Sequence, residues 1–332
     1  MRLRNLHALA ASATLALLGS AHCAELKLPR DGWVSWQVAS VPDAPNWCCY
    51  DSDRDPRRMS CKLDDNVHGY GSRDGDYKTD AVKLYVRLAA GKVEKFQTLS
   101  ASCPVEASTP IHDLGTVDED DSARWVLTQI GARQNPGARN RQLENGLSAL
   151  AMHRGDFAQN ELANLARSAP QFETRKTAIF WLALVRGSAG ADIVSPLMFD
   201  DRDAAIRKHA AFALSQSKAT RVAPDLIRLG NTDKVGDVRA EAWFWLAHTG
   251  DARAEQAISA AVRNDADGQV REKAVFALSQ LPDERAAKAL IAAAEDRSLP
   301  REQRRRAVFW LSQSESDSAQ AYLEKVLTVS AR

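Results

Sequence analysis

Four cysteines are the residues of this 332-residue chain best suited to covalent chemistry: Cys48, Cys49, Cys61 and Cys103. The fifth cysteine, Cys23, lies in a predicted leader, and the even number that remains after its loss predicts two disulfides in an oxidising compartment. Adjacent cysteines rarely bond each other, because the peptide between them resists the required geometry. We therefore expect Cys48 and Cys49 to reach Cys61 and Cys103 in either order. A zinc site is the alternative, although the chain contains none of the C-x-x-C pairs typical of one.

Carboxylates near these cysteines resemble a calcium loop only in part. Asp51, Asp53 and Asp55 fit the first ligand positions of an EF-hand. Pro56 stands where that loop requires Gly, and Lys62 stands where it requires Glu. The pattern therefore favours an exposed acidic loop, with a looser calcium site as the alternative.

A ligand-binding or catalytic site between two domains is the second hypothesis. It would use one of three acids with one of two histidines: Asp74, Asp76 or Asp80 with His68 or His112. Its basis is the clustering of polar residues near a domain junction, where binding sites are common. Because no nucleophile motif or phosphate loop accompanies them, we expect no enzymatic activity, no cofactor and no metal.

A repeat with the pattern Arg-x-x-Ala-x-Phe-x-Leu occupies the second half of the chain. The arginines recur at intervals of 32 residues, with one interval of 33: Arg175, Arg207, Arg239, Arg271 and Arg304. Each copy precedes a turn and a second apolar helical stretch, which indicates helix pairs. One pair cannot bury its own apolar surface, so the pairs must stack into a solenoid. Residues 143–167 read as a further, degenerate pair that caps the stack.

These repeats resemble the HEAT-repeat superfamily, in particular its short-unit branch with phycobilisome-lyase-like repeats. The resemblance implies an α-solenoid and a ladder of ion pairs between turn aspartates and helix arginines. The turn aspartates at matching positions are Asp201, Asp233 and Asp265. Ala169 stands at the equivalent place in the first copy, and the last copy has a longer turn with Asp296 nearby. We therefore expect the ladder to be incomplete at both ends.

The same resemblance carries no activity over to this chain. Some HEAT-type proteins are di-iron hydroxylases with His-Glu pairs, but this sequence contains no His-Glu dipeptide. His153, His209 and His248 occur in three different contexts, which is typical of surface residues or of hydrogen-bonded helix residues. Chromophore-lyase activity cannot be transferred either, because only scaffold positions match.

Two further rows of residues are candidates for a partner-binding face. The residue after the motif Phe alternates between large and small: Trp181, Ala213, Trp245, Ala277 and Trp310. Interdigitation in the core is the favoured reading, and aromatic anchors in a concave groove are the alternative. A polar row near the helix ends could bind the backbone of an extended ligand: Gln216, His248, Gln280 and Gln313.

The first part of the chain carries a predicted leader and a predicted sheet. Arg2 and Arg4, an apolar run over 6–18 and small residues before Ala24 are typical of a secretory signal. The residues before Cys23 lack the Leu and the small residue of a lipobox, so we expect no lipid anchor there. Alternating apolar residues over 33–41, 82–88 and 93–99 predict strands.

Charge and hydropathy limit the partners. The chain has 44 Lys and Arg against 43 Asp and Glu, for a net charge of +1, and loss of Arg2 and Arg4 would make it −1. So balanced a chain has no overall positive field for nucleic acid. No apolar run after the leader is long enough to span a membrane.

The sequence as a whole predicts an α-solenoid of about six stacked helix pairs, preceded by a small disulfide-tied β-rich domain. The expected parts are a signal peptide (1–24), a β-rich domain (25–121), a short helix and linker (122–140) and the solenoid (141–332). We expect a periplasmic or secreted scaffold that binds a protein in the cell envelope.

Overall fold

A computed structural model describes residues 26–42, 44–45, 47–49, 61–65, 70–71, 80–131 and 141–330. The described strands are β1 Gly32–Ala39, β2 Cys48–Cys49, β3 Cys61–Lys62, β4 Tyr70–Gly71, β5 Ala81–Ala89, β6 Lys92–Ser100, β7 Val105–Glu106 and β8 Ile111–Thr116. The described helices are α1 Glu119–Gly131, α2 Arg141–Met152, α3 Asp156–Ser168, α4 Phe172–Val185, α5 Gly187–Asp200, α6 Ala204–Ser215, α7 Val222–Thr232, α8 Gly236–Ala247, α9 Ala254–Asn264, α10 Gly268–Ser279, α11 Asp283–Glu295, α12 Arg301–Leu311 and α13 Asp317–Ser330.

The predicted strands form a four-stranded sheet with the order β6-β5-β1-β8. β5 and β6 form the expected hairpin, β1 is antiparallel to β5, and β8 is parallel to β1. Side chains alternate between the two faces, as the period of a strand requires. Val34, Trp36 and Leu84 face the helices, whereas Trp33 and Tyr85 join a smaller cluster on the other face.

The disulfide-tied part of the prediction is confirmed by a Cys48–Cys103 disulfide. It lies in the smaller cluster, beside Cys61 and Leu63. Cys61 is also disulfide-bonded. The side chain of Cys49 lies outside the described residues, and so does the acidic stretch that contains Asp51, Asp53 and Asp55.

The helices form the predicted stack, with α2–α3 as the first of six pairs within the described residues and α1 before it. The first helices contact one another in chain order: α2, α4, α6, α8, α10 and α12. The motif leucines point between the two layers and are fully buried: Leu182, Leu214, Leu246, Leu278 and Leu311. Burial of these side chains is the main stabilising contribution to the stack.

One apolar core runs from the sheet through all the helix pairs, although the sequence suggests two separate domains. Trp36 and Phe96 of the sheet belong to the same core as Leu147 of α2 and Leu182 of α4. α2 contacts β6, and α1 contacts β1. The sheet therefore covers the end of the solenoid that would otherwise expose apolar surface.

A buried polar chain fixes the sheet against the first helices. The His153 Nδ1 lies 2.7 Å from the carbonyl oxygen of Ala149 and its Nε2 lies 2.8 Å from the Ser122 Oγ. A carbonyl can only accept, so Nδ1 carries the proton and Nε2 accepts from the Ser122 hydroxyl. That hydroxyl in turn accepts from the Trp36 Nε1 at 2.8 Å. The imidazole is thus held neutral, and burial lowers its pKa to about 4.

Arginines and aspartates link successive units in a regular way. Arg207 donates to Asp233 at 2.7 and 3.0 Å, Arg239 donates to Asp265 at 2.8 and 2.8 Å, and Arg175 donates to Asp201. Each aspartate follows its arginine by 26 residues. Burial disfavours the Asp233 carboxylate, but Arg207 and the amide of Val235 outweigh that cost, so its pKa is lowered.

The arginine at the start of each following helix binds the same turn through the backbone. The Nη1 atoms of Arg207, Arg239 and Arg271 donate to the carbonyl oxygens of Asp201, Asp233 and Asp265, at 2.9, 2.9 and 2.6 Å. One turn is therefore held by arginines from two consecutive first helices. This double attachment sets the register of the stack.

At the two ends of the ladder the contacts differ. Arg175 Nε donates to the carbonyl of Ala166 at 3.1 Å. Asp296 accepts from Arg263 at 3.0 Å, while Arg271 donates to backbone carbonyls in the preceding turn.

The helix caps differ from the pattern that the sequence suggests. Gly250-Asp251 and Pro282-Asp283 read as turns with an aspartate N-cap, yet Arg253 and Pro282 hold those positions and neither makes a side-chain capping bond. Asp251 instead accepts from the amide of Arg253, before the helix begins. Side-chain caps occur at Asp203 and Asp267, which start α6 and α10.

Replacement of one ladder carboxylate tests this attachment. Asp233→Asn leaves the Arg207 guanidinium buried without a counter-charge, so we expect the free energy of unfolding to fall by about 3–5 kcal/mol. Asp237→Asn is the matched control, because it removes an ion pair with Lys273 in which both side chains are more than half exposed, and such pairs contribute about 0–1 kcal/mol. Urea unfolding followed by circular dichroism measures both, and equal losses would contradict the assignment.

The buried imidazole predicts an acid-sensitive fold. The folded-state pKa of His153 is about 4 against an ordinary 6.5, so the unfolded chain binds the proton first. Stability is complete above about pH 6.5 and is lost as the pH falls towards 4, by about 3 kcal/mol in all.

His153→Gln removes this titration, whereas His248→Gln changes an exposed histidine and serves as its control. Urea unfolding between pH 7 and pH 4 should show a flatter dependence in His153→Gln alone. If the free energy of unfolding depended on pH with the same slope in the wild type and in both variants, His153 would be excluded as the source of the acid sensitivity.

Candidate functional site

A row of contacting aromatic rings crosses the surface of the first helices. We call it the aromatic ladder, and its members in order of contact are Trp47, Trp181, Phe180, Phe212, Trp245, Phe244, Phe276, Trp310 and Phe309. Most of these rings are half-buried, and Phe309 is 49% exposed. Trp47 comes from the sheet region, so both parts of the molecule contribute to this surface.

The alternation of Trp and Ala has a geometric cause in this ladder. Phe180 stacks on Phe212 with ring centroids 5.9 Å apart, and Phe244 stacks on Phe276 at 5.8 Å. Trp245 bridges the step between those two stacks, because its ring centroid lies 4.8 Å from both Phe212 and Phe244. Trp310 repeats the bridge from Phe276 to Phe309.

The helix geometry explains why the rings lie at the edge of the core. Successive residues point about 100° apart, so a buried Ala242 and Leu246 place Phe244 and Trp245 on the outer side. The sequence favours the indoles of Trp181, Trp245 and Trp310 as core packing. In the structure all three indoles are half-buried, so only part of each ring packs in the core.

The polar row predicted from the sequence runs beside the ladder, four residues after each of the last four motif Phe residues. Gln216, Gln280 and Gln313 each donate one hydrogen bond to the preceding serine, at 2.9, 3.1 and 3.2 Å. His248 packs against Phe244 with ring centroids 4.7 Å apart. An amide has two donor hydrogens and an acceptor oxygen. One bond to serine leaves each glutamine with capacity for a ligand.

On the other flank, the charged residues three positions before the last three motif Phe residues each have a local partner. Glu241 accepts from the Trp245 Nε1 at 2.8 Å, Lys273 pairs with Asp237 at 2.6 Å, and Arg306 pairs with Glu272. These local contacts favour recognition of a partner through ring contacts and hydrogen bonds rather than through long-range attraction between opposite charges.

A recess of about 290 Å³ lies near the start of the ladder. Its walls are Glu144, Glu173, Lys176, Thr177, Phe180, Trp181, His209 and Phe212. The His209 Nε2 lies 2.8 Å from the carbonyl oxygen of Lys176, and burial lowers the pKa of the imidazole. The recess offers one neutral imidazole, one cation and two carboxylates beside the aromatic side chains of Phe180, Trp181 and Phe212.

Trp243 has a purely structural position that the sequence does not distinguish from its neighbours. It is 1% exposed, and its ring lies against Gly230 of α7, where an added Cβ would come within 2.5 Å of the indole. In the sequence, that contact is indicated only by Gly230, a glycine inside the apolar stretch of α7.

The alternative site between sheet and helices does not assemble among the described residues. Asp80 adjoins Ala81, which pairs with Ala39, while His112 lies opposite Val34 five residues along β1. That separation is roughly 17 Å along the strand, too far to share a proton. Asp74, Asp76 and His68 lie outside the described residues.

Neither a metal-binding cluster nor a membrane-spanning helix occurs among the described residues. No group of three or more His, Cys, Asp or Glu residues there is arranged to hold a metal ion. None of the helices there combines the length and the apolar character that crossing a membrane requires.

The sequence matches the model of the family HEAT repeats over residues 160–247 and 232–312. Residues 160–312 are therefore HEAT repeats, as the motif predicts. No curated protein sequence matches the chain.

Two solved structures are similar to the chain at low levels. YibA of Escherichia coli has 20% identity over 63% of this chain and 76% of its own, with a TM-score of 0.37. Human deoxyhypusine hydroxylase in complex with glycerol has 15% identity over 60% of this chain and 76% of its own, with a TM-score of 0.33.

Proposed function

We propose that this chain, whose residues 160–312 are HEAT repeats, is an exported scaffold that binds another envelope protein through the aromatic ladder. The observation that carries the proposal is a continuous row of half-exposed rings from Trp47 to Phe309. Aromatic side chains provide a large contact area and lose little rotamer entropy on binding. They are also enriched among the residues that contribute most to binding energy.

An extended peptide segment fits this surface best. Packed helices lie about 10 Å apart, so the five motif helices span roughly 40 Å, the length of about twelve extended residues. The rings would contact the side chains of such a segment. Gln216, Gln280 and Gln313 could hydrogen-bond its backbone from one side.

Export is supported by two independent features. The basic and apolar leader over 1–24 is typical of a secretory signal. The Cys48–Cys103 disulfide and the disulfide-bonded Cys61 suit an oxidising compartment. We place the protein in the periplasm or the extracellular medium, without a lipid anchor at Cys23.

A binding role without catalysis is the remaining part of the proposal. The charged residues on the flank of the ladder are engaged in local pairs, and His153 is committed to a structural hydrogen-bonded chain. We propose that the protein acts with no cofactor and no metal.

Loss of ring contacts should abolish partner capture without unfolding the scaffold. We expect Phe244→Ala with Trp245→Ala to lose at least about tenfold in affinity for an envelope protein that the wild type retains, as removal of two anchors would cause. Leu327→Ala is the matched control, since it removes an exposed apolar side chain of α13, outside the ladder.

The measurement is affinity capture from an envelope extract, with the retained protein quantified by mass spectrometry and folding checked by circular dichroism. A protein captured equally by the wild type and by the ladder variant would contradict the proposed surface.

The proposed compartment predicts the state of the thiols. After export and loss of residues 1–24, the chain contains Cys48, Cys49, Cys61 and Cys103. We expect no reactive thiol in the unfolded, unreduced mature protein, and four after reduction. Titration with a chromogenic disulfide reagent in denaturant measures both values, and four free thiols before reduction would count against export.

A further inference from the structure

Among the described residues, no further helix pair covers the outer side of α12, the face on which a following pair would stack. The residue before the motif Phe is buried in every earlier unit, with Ile179, Ala211, Trp243 and Val275 at most 1% exposed. The equivalent Val308 is half-buried, and Phe309 beside it is 49% exposed. We call this surface the end face. It forms a cleft of about 490 Å³ lined by Ala294, Arg301, Arg304, Arg305, Val308, Phe309 and Ser312.

Arg304 is a ladder arginine without the carboxylate that three of its equivalents bind, and the fourth equivalent, Arg271, donates to backbone carbonyls. Arg175, Arg207 and Arg239 each pair with an aspartate 26 residues later. The residue 26 positions after Arg304 is Ser330. Within the described residues the Nε of Arg304 is buried and has no hydrogen-bond partner. A buried, unsatisfied donor on a cation is costly, so a carboxylate placed there would be bound favourably.

The end face carries an excess of positive charge. Arg301, Arg304 and Arg305 fall on one side of α12 at helical spacing. Arg305 meets Glu302 at 3.9 Å, with about 70% of both side chains exposed, which makes that pair weak. The occupant should therefore be acidic.

A second copy of this chain does not supply that occupant. In each ladder pair the carboxylate comes from a turn, and the turn at the start of the first motif unit holds Ala169 instead. The sheet also covers the opposite end of the stack, through contacts with α1 and α2. We therefore assign the complementary carboxylate to another protein.

We propose that the end face is a second docking site, which binds an amphipathic helix of another protein with an Asp or Glu in the turn before it. The carboxylate pairs with Arg304 as Asp233 does with Arg207, and the apolar side of the helix covers Val308 and Phe309. An acidic helix start also complements the positive end of the helix dipole. This site deepens the proposed scaffold function and rests on it.

The chain itself supplies a probe of that chemistry. Residues 264–280 contain the turn with Asp265, which accepts from Arg239 of α8 and lies beside Trp243, and the helix α10, which packs against α8. Arg304 and Val308 of α12 occupy the same repeat positions as Arg239 and Trp243 of α8. We therefore expect the same peptide to fit the end face. We expect a fluorescein-labelled 264–280 peptide to bind the full chain saturably in fluorescence anisotropy.

Two substitutions locate the contact. Arg304→Gln should weaken binding at least about tenfold, and so should Asp265→Asn in the peptide. The two losses should not add, because both remove one ion pair. Arg167→Gln, an exposed arginine on α3, is the matched control and should change affinity less than twofold.

Several outcomes overturn the proposal: no saturable binding, equal binding by Arg304→Gln, or losses that add fully. Displacement of the peptide by a heparin oligosaccharide, with no dependence on Asp265, would indicate a polyanion site instead. Thermal unfolding verifies that Arg304→Gln is folded, and Arg304→Lys repeats the test with the charge retained.

Phe309 belongs to both docking surfaces, but peptide binding and partner capture, measured on variants at other residues, separate them. The variant with Phe244→Ala and Trp245→Ala should keep its affinity for the peptide, and Arg304→Gln should keep the partner of the aromatic ladder. Failure of the end face alone would therefore leave the ladder proposal standing.

Discussion

Burial of apolar surface between neighbouring helix pairs is the constraint on which the rest of this structure depends. A single pair exposes too much apolar surface to be stable. Ile179, Ala211 and Val275 are fully buried, whereas the equivalent Val308 in the last described pair is only half-buried. The stack therefore extends as one continuous core, and each end of it would expose apolar surface. The sheet covers that apolar surface at one end, where Trp36 and Phe96 pack on the first helices.

Polar interactions add register to this apolar stack. Burial of leucines has little directional preference, whereas an arginine fork and a carboxylate fit each other in one geometry. Asp233 illustrates the effect, because its carboxylate binds Arg207 and its carbonyl binds Arg239. A turn held from both sides cannot slide along the stack. The same register brings the motif phenylalanines close enough to stack, and so builds the surface proposed for binding.

The repeat made most of the solenoid predictable, since five copies of one motif place every first helix. The N-caps were not predictable in the same way: Asp251 precedes its helix by three residues, and Asp203 and Asp267 cap theirs. A turn aspartate can satisfy a loop amide or a helix amide, and the local sequence is similar in both cases. The role of His153 was also hidden, because Ser122 and Trp36 are distant in the chain.

The sequence by itself determined the helix pairs, their period, the sheet hairpin and the two rows of residues beside the motif, since these depend on spacing along the chain. The tertiary structure decided how those parts meet. It showed that the sheet shares the core of the solenoid, that the indoles bridge pairs of stacked phenylalanines, and that the Nε of Arg304 is buried without a hydrogen-bond partner among the described residues. These facts depend on contacts between residues far apart in sequence, and spacing alone carries no information about them.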